Sequence, residues 1–444
     1  MTTTEALCQF LVKTKFEDMP EEAVKAAKDL ILDYIGAALA GQKTKVGKII
    51  TGYVKKKACA SEATVIGSGF KTSASDAAFC NATLAHALEF EAVAAVGGPN
   101  PTQAIGAGLC LAEKSRASGK RLLESFVLGY EIQSRVATST PGGSKRGLIQ
   151  LYGTLGAALT GTKILGLNLE QAISAFGIAC SSACGLIRTV GTMIHTHDFG
   201  IAARGGVEAA ELGKENITVD KNILEGPGGF CDAFFGEGGY DLAQITKDLG
   251  NSYFIFNPGV SIKKYPCCYR MHPALDAIID LMDKHKISYG DVTTVEVGLN
   301  KYNMGIIGMH PQPKTGDEAR FSIEQCIGAA VLEREVGLGA VADEKLNDSK
   351  YIEARGKVKV VFHPEWPPVR EGVPTTIIMK LRDGREYTKE VLRTRNSTHD
   401  ELLKRTRECA GVSLSPKKID ELIDCVLSLE KIKDVGQVME LIKV

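Results

Sequence analysis

Three stretches of the chain combine residue types and spacings that could do chemistry. The first is Ser261-Ile262-Lys263-Lys264-Tyr265-Pro266-Cys267-Cys268-Tyr269-Arg270-Met271-His272-Pro273. Pro266 biases Tyr265 toward an extended backbone, which places Lys263 and Lys264 on straight chain. Leu275, Ile278, Ile279 and Met282 follow at helical spacing, with Pro273 in the first turn. Lys263, Lys264, Arg270 and His272 therefore gather at a helix N-terminus, where backbone amides and the helix dipole favour a carboxylate or phosphate. The same residues read equally well as a surface helix start carrying solvated lysines.

The second stretch, Val190 to Arg204, holds two of the eight histidines, His195 and His197, beside Asp198. Asp198 is a good N-cap for a helix beginning at Phe199. His195 and His197 then stand on the approach to that helix, a place for general acid–base work on an anion. His197 could instead form a structural pair with Asp198 or Asp33. His-x-His on a loop without a third ligand is a weak metal signal. The third stretch, Asn81 to Gln103, ends a helix in Glu89 and Glu91 and passes through Gly97-Gly98-Pro99-Asn100-Pro101. A carboxylate at a helix C-terminus is electrostatically misplaced, so Glu89 needs a cationic partner or a raised pKa. His86, on an apolar face, reads first as a core histidine.

The elements that must position these residues fall into two groups. Helical periodicity covers residues 4–15, 20–41, 46–57, 73–89, 103–117, 120–138, 153–165, 169–184 and 199–212. Ala and Gly at many contact positions predict a tightly packed bundle, with a close helix–helix approach at Gly36. After residue 250 the pattern changes. Strands are expected at 293–299, 357–362, 375–381 and 386–391, with Asp383-Gly384 turning between the last two. A helix is expected at 321–333, and helices return at 400–409, 416–427 and 434–442. The fold class is mainly α. A large all-helical domain (residues 1–264 and 396–444) carries a smaller α/β lid domain (residues 265–395).

Composition excludes several classes of function. Acidic and basic residues balance, 53 against 53, so no net field draws the protein to nucleic acid or to a membrane. No leader pattern and no apolar run of spanning length is seen, and the 12 cysteines read as free thiols of a reducing, cytoplasmic protein. Nucleotide fingerprints are missing, including in the glycine-containing run from Ser144 to Gly156, and no zinc-site spacing occurs. The expectation is an enzyme without cofactor and without metal.

In this order, the stretches resemble the MmgE/PrpD family. The likeness rests on Leu32–Gly41, Ala63-Thr64-Val65-Ile66-Gly67-Ser68-Gly69, Asn81–Phe90, Gly191–Met193 with Ala202-Ala203-Arg204, Leu224-Glu225-Gly226, and Tyr265-Pro266-Cys267-Cys268 with His272-Pro273-Ala274. The resemblance implies a helical domain with an α/β lid, a pocket between them, a homodimer and no cofactor. It also implies an active site, which this chain partly rewrites. The family's acid is kept as Glu89 and its lysine as Lys263, or Lys264 by a one-residue shift. Its threonine becomes Val93. Its catalytic histidine becomes Asn100, a second histidine becomes Gln150, a lysine becomes His195 and a tyrosine becomes Gln325.

The implied activity is proton abstraction beside a carboxyl group of a small di- or tricarboxylate, ending in elimination, decarboxylation, isomerisation or epimerisation. Lys263, Lys264 and Arg270 are expected to hold carboxylates. His195 or His197 is the expected base or acid, and Glu89 orients a partner or carries the second proton. Asn100, Gln150 and Gln325 can hydrogen-bond substrate. Replacing Lys263 by Met should cost a bond of ~1.5–3 kcal/mol to substrate and leave fold stability nearly unchanged. The competing reading is a non-catalytic relative with an eroded site. Convergence of His195 and Lys263 on one cleft with Glu89 separates the two; scattered side chains favour the eroded reading.

Overall fold

The computed structural model describes residues 1–94, 99–140, 150–369 and 372–444. Among the described residues, nine long helices build the first half: α1 (Thr3–Lys13), α2 (Glu21–Gly41), α3 (Lys45–Lys56), α4 (Ala74–His86), α5 (Thr102–Ser115), α6 (Gly119–Thr138), α7 (Gln150–Ile164), α8 (Leu169–Ser182) and α9 (Met193–Lys214). Their starts carry local signals. Thr2 and Glu5 form a capping box on α1, and the Ser73 and Ser118 hydroxyls cap α4 and α6. Every residue of α7 is buried, because α5, α6, α8 and α9 surround it. Such a helix must be apolar or small on all sides, and Leu151, Leu155, Ala157, Ala158 and Leu159 supply that.

Two of the sequence expectations shift in this bundle. The close approach falls at Gly41, not Gly36. A Cβ on Gly41 would run into the carbonyl oxygen of Leu84 in α4, whereas one on Gly36 would make ordinary contact, 3.7 Å from the Cys409 Cβ. Helix α9 begins six residues earlier than Asp198 suggests. Thr196, Phe199, Gly200 and Ala203 are buried at helical spacing, so the core-facing stripe extends back through residues 193–198 and Asp198 lies inside the helix.

Short strands tie the helices' connections together: β1 (Ala63–Thr64) with β2 (Lys71–Thr72), and β3 (Val93–Ala94) with β4 (Val260–Ser261), both antiparallel. Beyond Lys263 a four-stranded sheet forms from β5 (Val292–Leu299), β6 (Val358–Phe362), β7 (Thr375–Leu381) and β8 (Glu386–Val391), ordered β6-β5-β7-β8. β5 runs parallel to β6 and antiparallel to β7, and β7–β8 is the expected hairpin, with Gly384 at φ +85. Thr375, Ile377, Met379 and Leu381 bury one face of β7. Helix His272–Lys284 packs on β7 and β8, and against helix Ile323–Glu333.

The apolar interior forms two large clusters. One collects residues from Leu7 to Ile255 and from Ala410 to Ile442, and the other collects residues from Tyr265 to Leu381. Helices His399–Ala410 and Pro416–Leu427 return to pack on α2. The chain leaves the helical body and re-enters it at one spot. There the Ser261 hydroxyl is 2.8 Å from Asn396 Oδ1, and the Ser397 hydroxyl donates to the Ile262 carbonyl at 2.9 Å. All twelve cysteines are free thiols, and no helix among the described residues is long and apolar enough to cross a membrane.

Candidate functional site

Helix α4 ends at His86, three residues before the carboxylate that the sequence reading placed at its terminus. Glu89 takes a left-handed backbone, φ +50, and its N–H donates to the His86 carbonyl at 3.0 Å. This tight turn swings the Glu89 carboxylate back beside His86, leaving Oε1 2.9 Å from His86 Nε2. Four residues on, β3 pairs with β4 in the register Val93↔Ser261. The ladder is two pairs long, yet it decides the site, because it lays Lys263 alongside Glu89. Lys263 Nζ donates to Glu89 Oε2 at 2.7 Å and to the Glu89 carbonyl at 2.8 Å. From the first turn of α9, His195 brings Nε2 to 3.2 Å from Glu89 Oε1. A second carboxylate backs the cluster. Glu91 Oε1 lies 2.6 Å from His86 Nδ1 and accepts from Asn100 Nδ2 at 3.0 Å. Phe199 stacks on the His86 ring at 3.5 Å, and Phe321 packs edge-on to His195 at 5.6 Å.

The two imidazoles sit 4.9 Å apart between centroids but in opposite electrostatic settings. Burial would lower the pKa of His86, but Glu91 and Glu89 outweigh it and raise it to about 9. Burial lowers that of His195, and its contact with Glu89 only partly offsets this. Burial would raise the Glu89 carboxyl, but the Lys263 ammonium and His86 hold it well below the usual range. Lys263 is raised in turn, because Glu89 and Glu91 outweigh its desolvation. At neutral pH the cluster thus holds an imidazolium, an ammonium, a depressed carboxylate and a neutral His195. When environments push two like groups apart, one is an acid and the other a base.

His86 gives a pH prediction. Its folded pKa of about 9 lies above the ordinary 6.5. The stability it contributes is therefore fully present below pH 6.5 and is lost as pH rises through about 9. Denaturant unfolding from pH 6 to 10 should show a fall on the order of 3 kcal/mol that is absent in His86→Gln. An identical slope in both proteins would remove His86 from this role.

His86, Glu89 and His195 are also the one group of His and carboxylate side chains among the described residues whose donor atoms lie within 4.8 Å of one another. The donor set matches a two-histidine, one-carboxylate ion site. Here Glu89 already takes two donations from Lys263, so an ion on Oε1 would face an ammonium across a single carboxyl group. The arrangement suits proton transfer better than ion binding.

The other candidates stand elsewhere. Successive side chains on extended backbone point to opposite sides. Lys264 accordingly turns away from Lys263 and pairs with Asp276 of helix His272–Lys284 at 2.5 Å. The guanidinium of Arg270 lies over the Tyr302 ring at 4.6 Å, with Nη1 3.3 Å from Asn303 Oδ1. His272 is buried between the rings of Tyr265 and Tyr269, so the four basic residues of the first stretch do not form one anion site. His197 packs edge-on to Phe79, with Nδ1 3.6 Å from Asp198 Oδ1. Gln325 is held inside the α/β region, donating to the Ala340 carbonyl at 3.0 Å and accepting from Arg355 at 2.7 Å. Gln150 is buried at the start of α7, against Gly185. Ser144 to Ile149, like Gly97 and Gly98, lie outside the described residues.

Residues 5–243 match the MmgE/PrpD N-terminal domain and residues 265–431 the MmgE/PrpD C-terminal domain. The chain belongs to the MmgE/PrpD family. Among curated relatives, it is 24% identical to cis-aconitate decarboxylase of Mus musculus, over 100% of this chain and 93% of that protein. It is 25% identical to cis-aconitate decarboxylase of Homo sapiens, over 99% of this chain and 94% of that one. That of Aspergillus terreus is 24% identical, over 99% and 95%. Within this MmgE/PrpD chain, Asn100 serves Glu91, and its backbone carbonyl accepts from Gln133 at 2.9 Å. Glu91 and His86 were not among the expected site residues. Their signal was the spacing His86-x-x-Glu89-x-Glu91, which lets one left-handed turn place both carboxylates on one imidazole.

Proposed function

We propose that this protein is a cofactor-free and metal-free enzyme of the lyase or isomerase type acting on a small di- or tricarboxylate. Its first step is removal of a proton from the carbon beside a carboxyl group. The observation that carries this is the meeting of His195, His86 and Lys263 on one carboxylate, Glu89. Stability alone would keep Glu89, Lys263 and His86 together; it does not call for His195, which is neutral and has an Nδ1 without a partner among the described residues.

In this reading, His195 donates its Nε2–H to ionised Glu89, which fixes the tautomer and leaves the Nδ1 lone pair free. Nδ1 is buried without a hydrogen-bond partner among the described residues. It takes the substrate proton, and the resulting imidazolium is stabilised by Glu89. The negative charge left on the substrate carboxyl meets Lys263, which has used two of its three N–H groups on Glu89. Departure of a neighbouring leaving group with its bonding pair, or return of the proton to the other face, completes the turnover; where the bond broken is to carbon dioxide, the pair it leaves on carbon is protonated by the His195 imidazolium. Residues 265–395 act as a lid whose Phe321 covers His195 and excludes water.

The test is proton exchange in heavy water, followed by proton NMR, with cis-aconitate, citrate-like and imino-dicarboxylate compounds. Exchange beside a carboxyl group, or decarboxylation, is expected with at least one of them. Failure with the whole set would reject the reading. The protein should also be a homodimer joined through the helical body, where Leu186, Ile187, Ile194 and Leu212 are exposed apolar residues. Light scattering should give twice the chain mass, and a single-chain mass at micromolar concentration would refute it.

A further inference from the structure

The Glu89–Lys263 pair is gripped from behind by a residue that belongs to none of the stretches above. Arg405 lies in helix His399–Ala410, on the buried face that also carries Leu402, Thr406 and Cys409. Its Nη1 donates to the Phe90 carbonyl at 2.7 Å and to the Lys263 carbonyl at 2.8 Å. The guanidinium lies over the Phe90 ring at 4.6 Å. Its Nη2 pairs with Asp33 of α2, and the other oxygen of Asp33 accepts from the Ala92 N–H at 2.8 Å. One guanidinium and one carboxylate therefore hold the backbone at 90, 92 and 263. Those points bracket Glu89 on its C-terminal side and include Lys263 itself.

That grip stops within one residue. The side chain of Lys264 is tied to Asp276 in the α/β region, and Asp276 also receives the hydroxyls of Tyr265, at 2.9 Å, and Thr394. Without Arg405, the anchors of the lysine strand among the described residues are the two-pair β3–β4 ladder, the Ser261–Asn396 and Ser397–Ile262 bonds, and the flexible Lys263 side chain's own bonds to Glu89. A ladder that short leaves freedom at its ends.

We propose that Arg405, braced by Asp33, is the positioning residue of the site: it sets the separation of the Glu89 and Lys263 backbones so that the Glu89 carboxylate reaches both Lys263 and His195. The planar fork matters, since one rigid group must face two carbonyls and a carboxylate at once. The catalytic consequence rests on the proposed function; the geometric one does not.

The test uses the full chain with Arg405→Lys, Arg405→Met and Asp33→Asn. The first readout is NMR titration of His195 in protein labelled at histidine, in the absence of substrate. His195 is faced by Glu89, His86 and Asp198. If Glu89 drifts from His195 Nε2, the imidazolium loses its partner and the His195 midpoint moves to lower pH. The second readout, on a substrate found by exchange, is a fall in kcat of roughly 10–100-fold with KM little changed, as expected for misplacement of groups that act on the transition state. Arg405→Lys keeps the charge and should fold even if Arg405→Met does not, and Asp33→Asn is isosteric. A His195 midpoint and kcat unmoved in the folded variants, with only stability reduced, would overturn the proposal. No exchange in the wild-type protein would count against the proposed function, while the His195 titration would still decide the role of Arg405.

Discussion

Lys263→Met is expected to lower the unfolding free energy by ~3–5 kcal/mol, the usual cost of breaking a buried pair from one side. The side chain is 2% exposed, so the variant leaves the Glu89 carboxylate buried without its main counter-charge. The sequence reading expected a substrate-holding lysine whose loss would leave fold stability nearly unchanged; burial reverses the second part of that expectation. The double variant Lys263→Met, Glu89→Gln should recover most of the loss, because a neutral amide needs no cation. The pH response also has a definite sign. In the wild-type protein the depressed Glu89 pKa contributes stability that is present above its ordinary 4.5 and is lost as pH falls through the folded value. In Lys263→Met, acidification from pH 7 toward 5 should instead narrow the gap to wild type, since protonation removes a charge that has lost its main partner and keeps only His86. Urea unfolding at the two pH values measures both effects. A Lys263→Met protein as stable as wild type would show that Lys263 does not balance Glu89.

His195→Asn should slow the chemical step by roughly 10²–10⁴-fold while leaving substrate binding largely intact. Asn keeps a hydrogen-bonding group near Glu89 but cannot accept the proton. The wild-type rate should carry an acid limb below pH 6.5, because burial lowers the His195 pKa and only the neutral ring is a base. That limb should vanish from the residual rate of the variant. Lys264→Met is the control and should be mild, since Lys264 serves Asp276. Single-turnover kinetics and ligand binding on the same samples separate rate from affinity. Wild-type turnover by His195→Asn would reject the base assignment, and a dominant loss in Lys264→Met would mean that the other lysine faces the substrate.

Features set by local chemistry were legible in the sequence. The periodicity of α2, α5 and α6 and the Asp383-Gly384 hairpin are local signals, and so was the electrostatic misplacement of Glu89, which does find a cation. What stayed hidden depends on contacts far apart along the chain. The β3–β4 ladder is too short to show alternation, yet it joins residues 93 and 261. Arg405 reads as one more charge on an amphipathic helix until its place between Leu402 and Cys409 is noticed. Lys264, Arg270 and Gln325 carry plausible chemistry, but each is taken up by a neighbour within the α/β region, and a sequence does not reveal which polar group is already occupied. Asp198 misled for a related reason: a residue suited to capping was overruled by the apolar stripe that continues past it.

The adjacency of the two chain crossings bears on how this architecture can be cut. Residues 261 and 396 lie within hydrogen-bond reach, so the chain enters and leaves the α/β region through a paired stem, beside which Phe321 and Leu338 also pack on the helical body. A short flexible linker could join residue 261 directly to residue 397; the buried members of the apolar cluster of α1 to α9 and the C-terminal helices would stay, but Ile262 and Lys263, the main counter-charge of Glu89, would go. The deleted segment has its own apolar cluster and begins and ends at neighbouring points. An α/β region grafted onto this stem from another family member would have to bring back a lysine at position 263, because Glu89, His86 and His195 stay on the helical body.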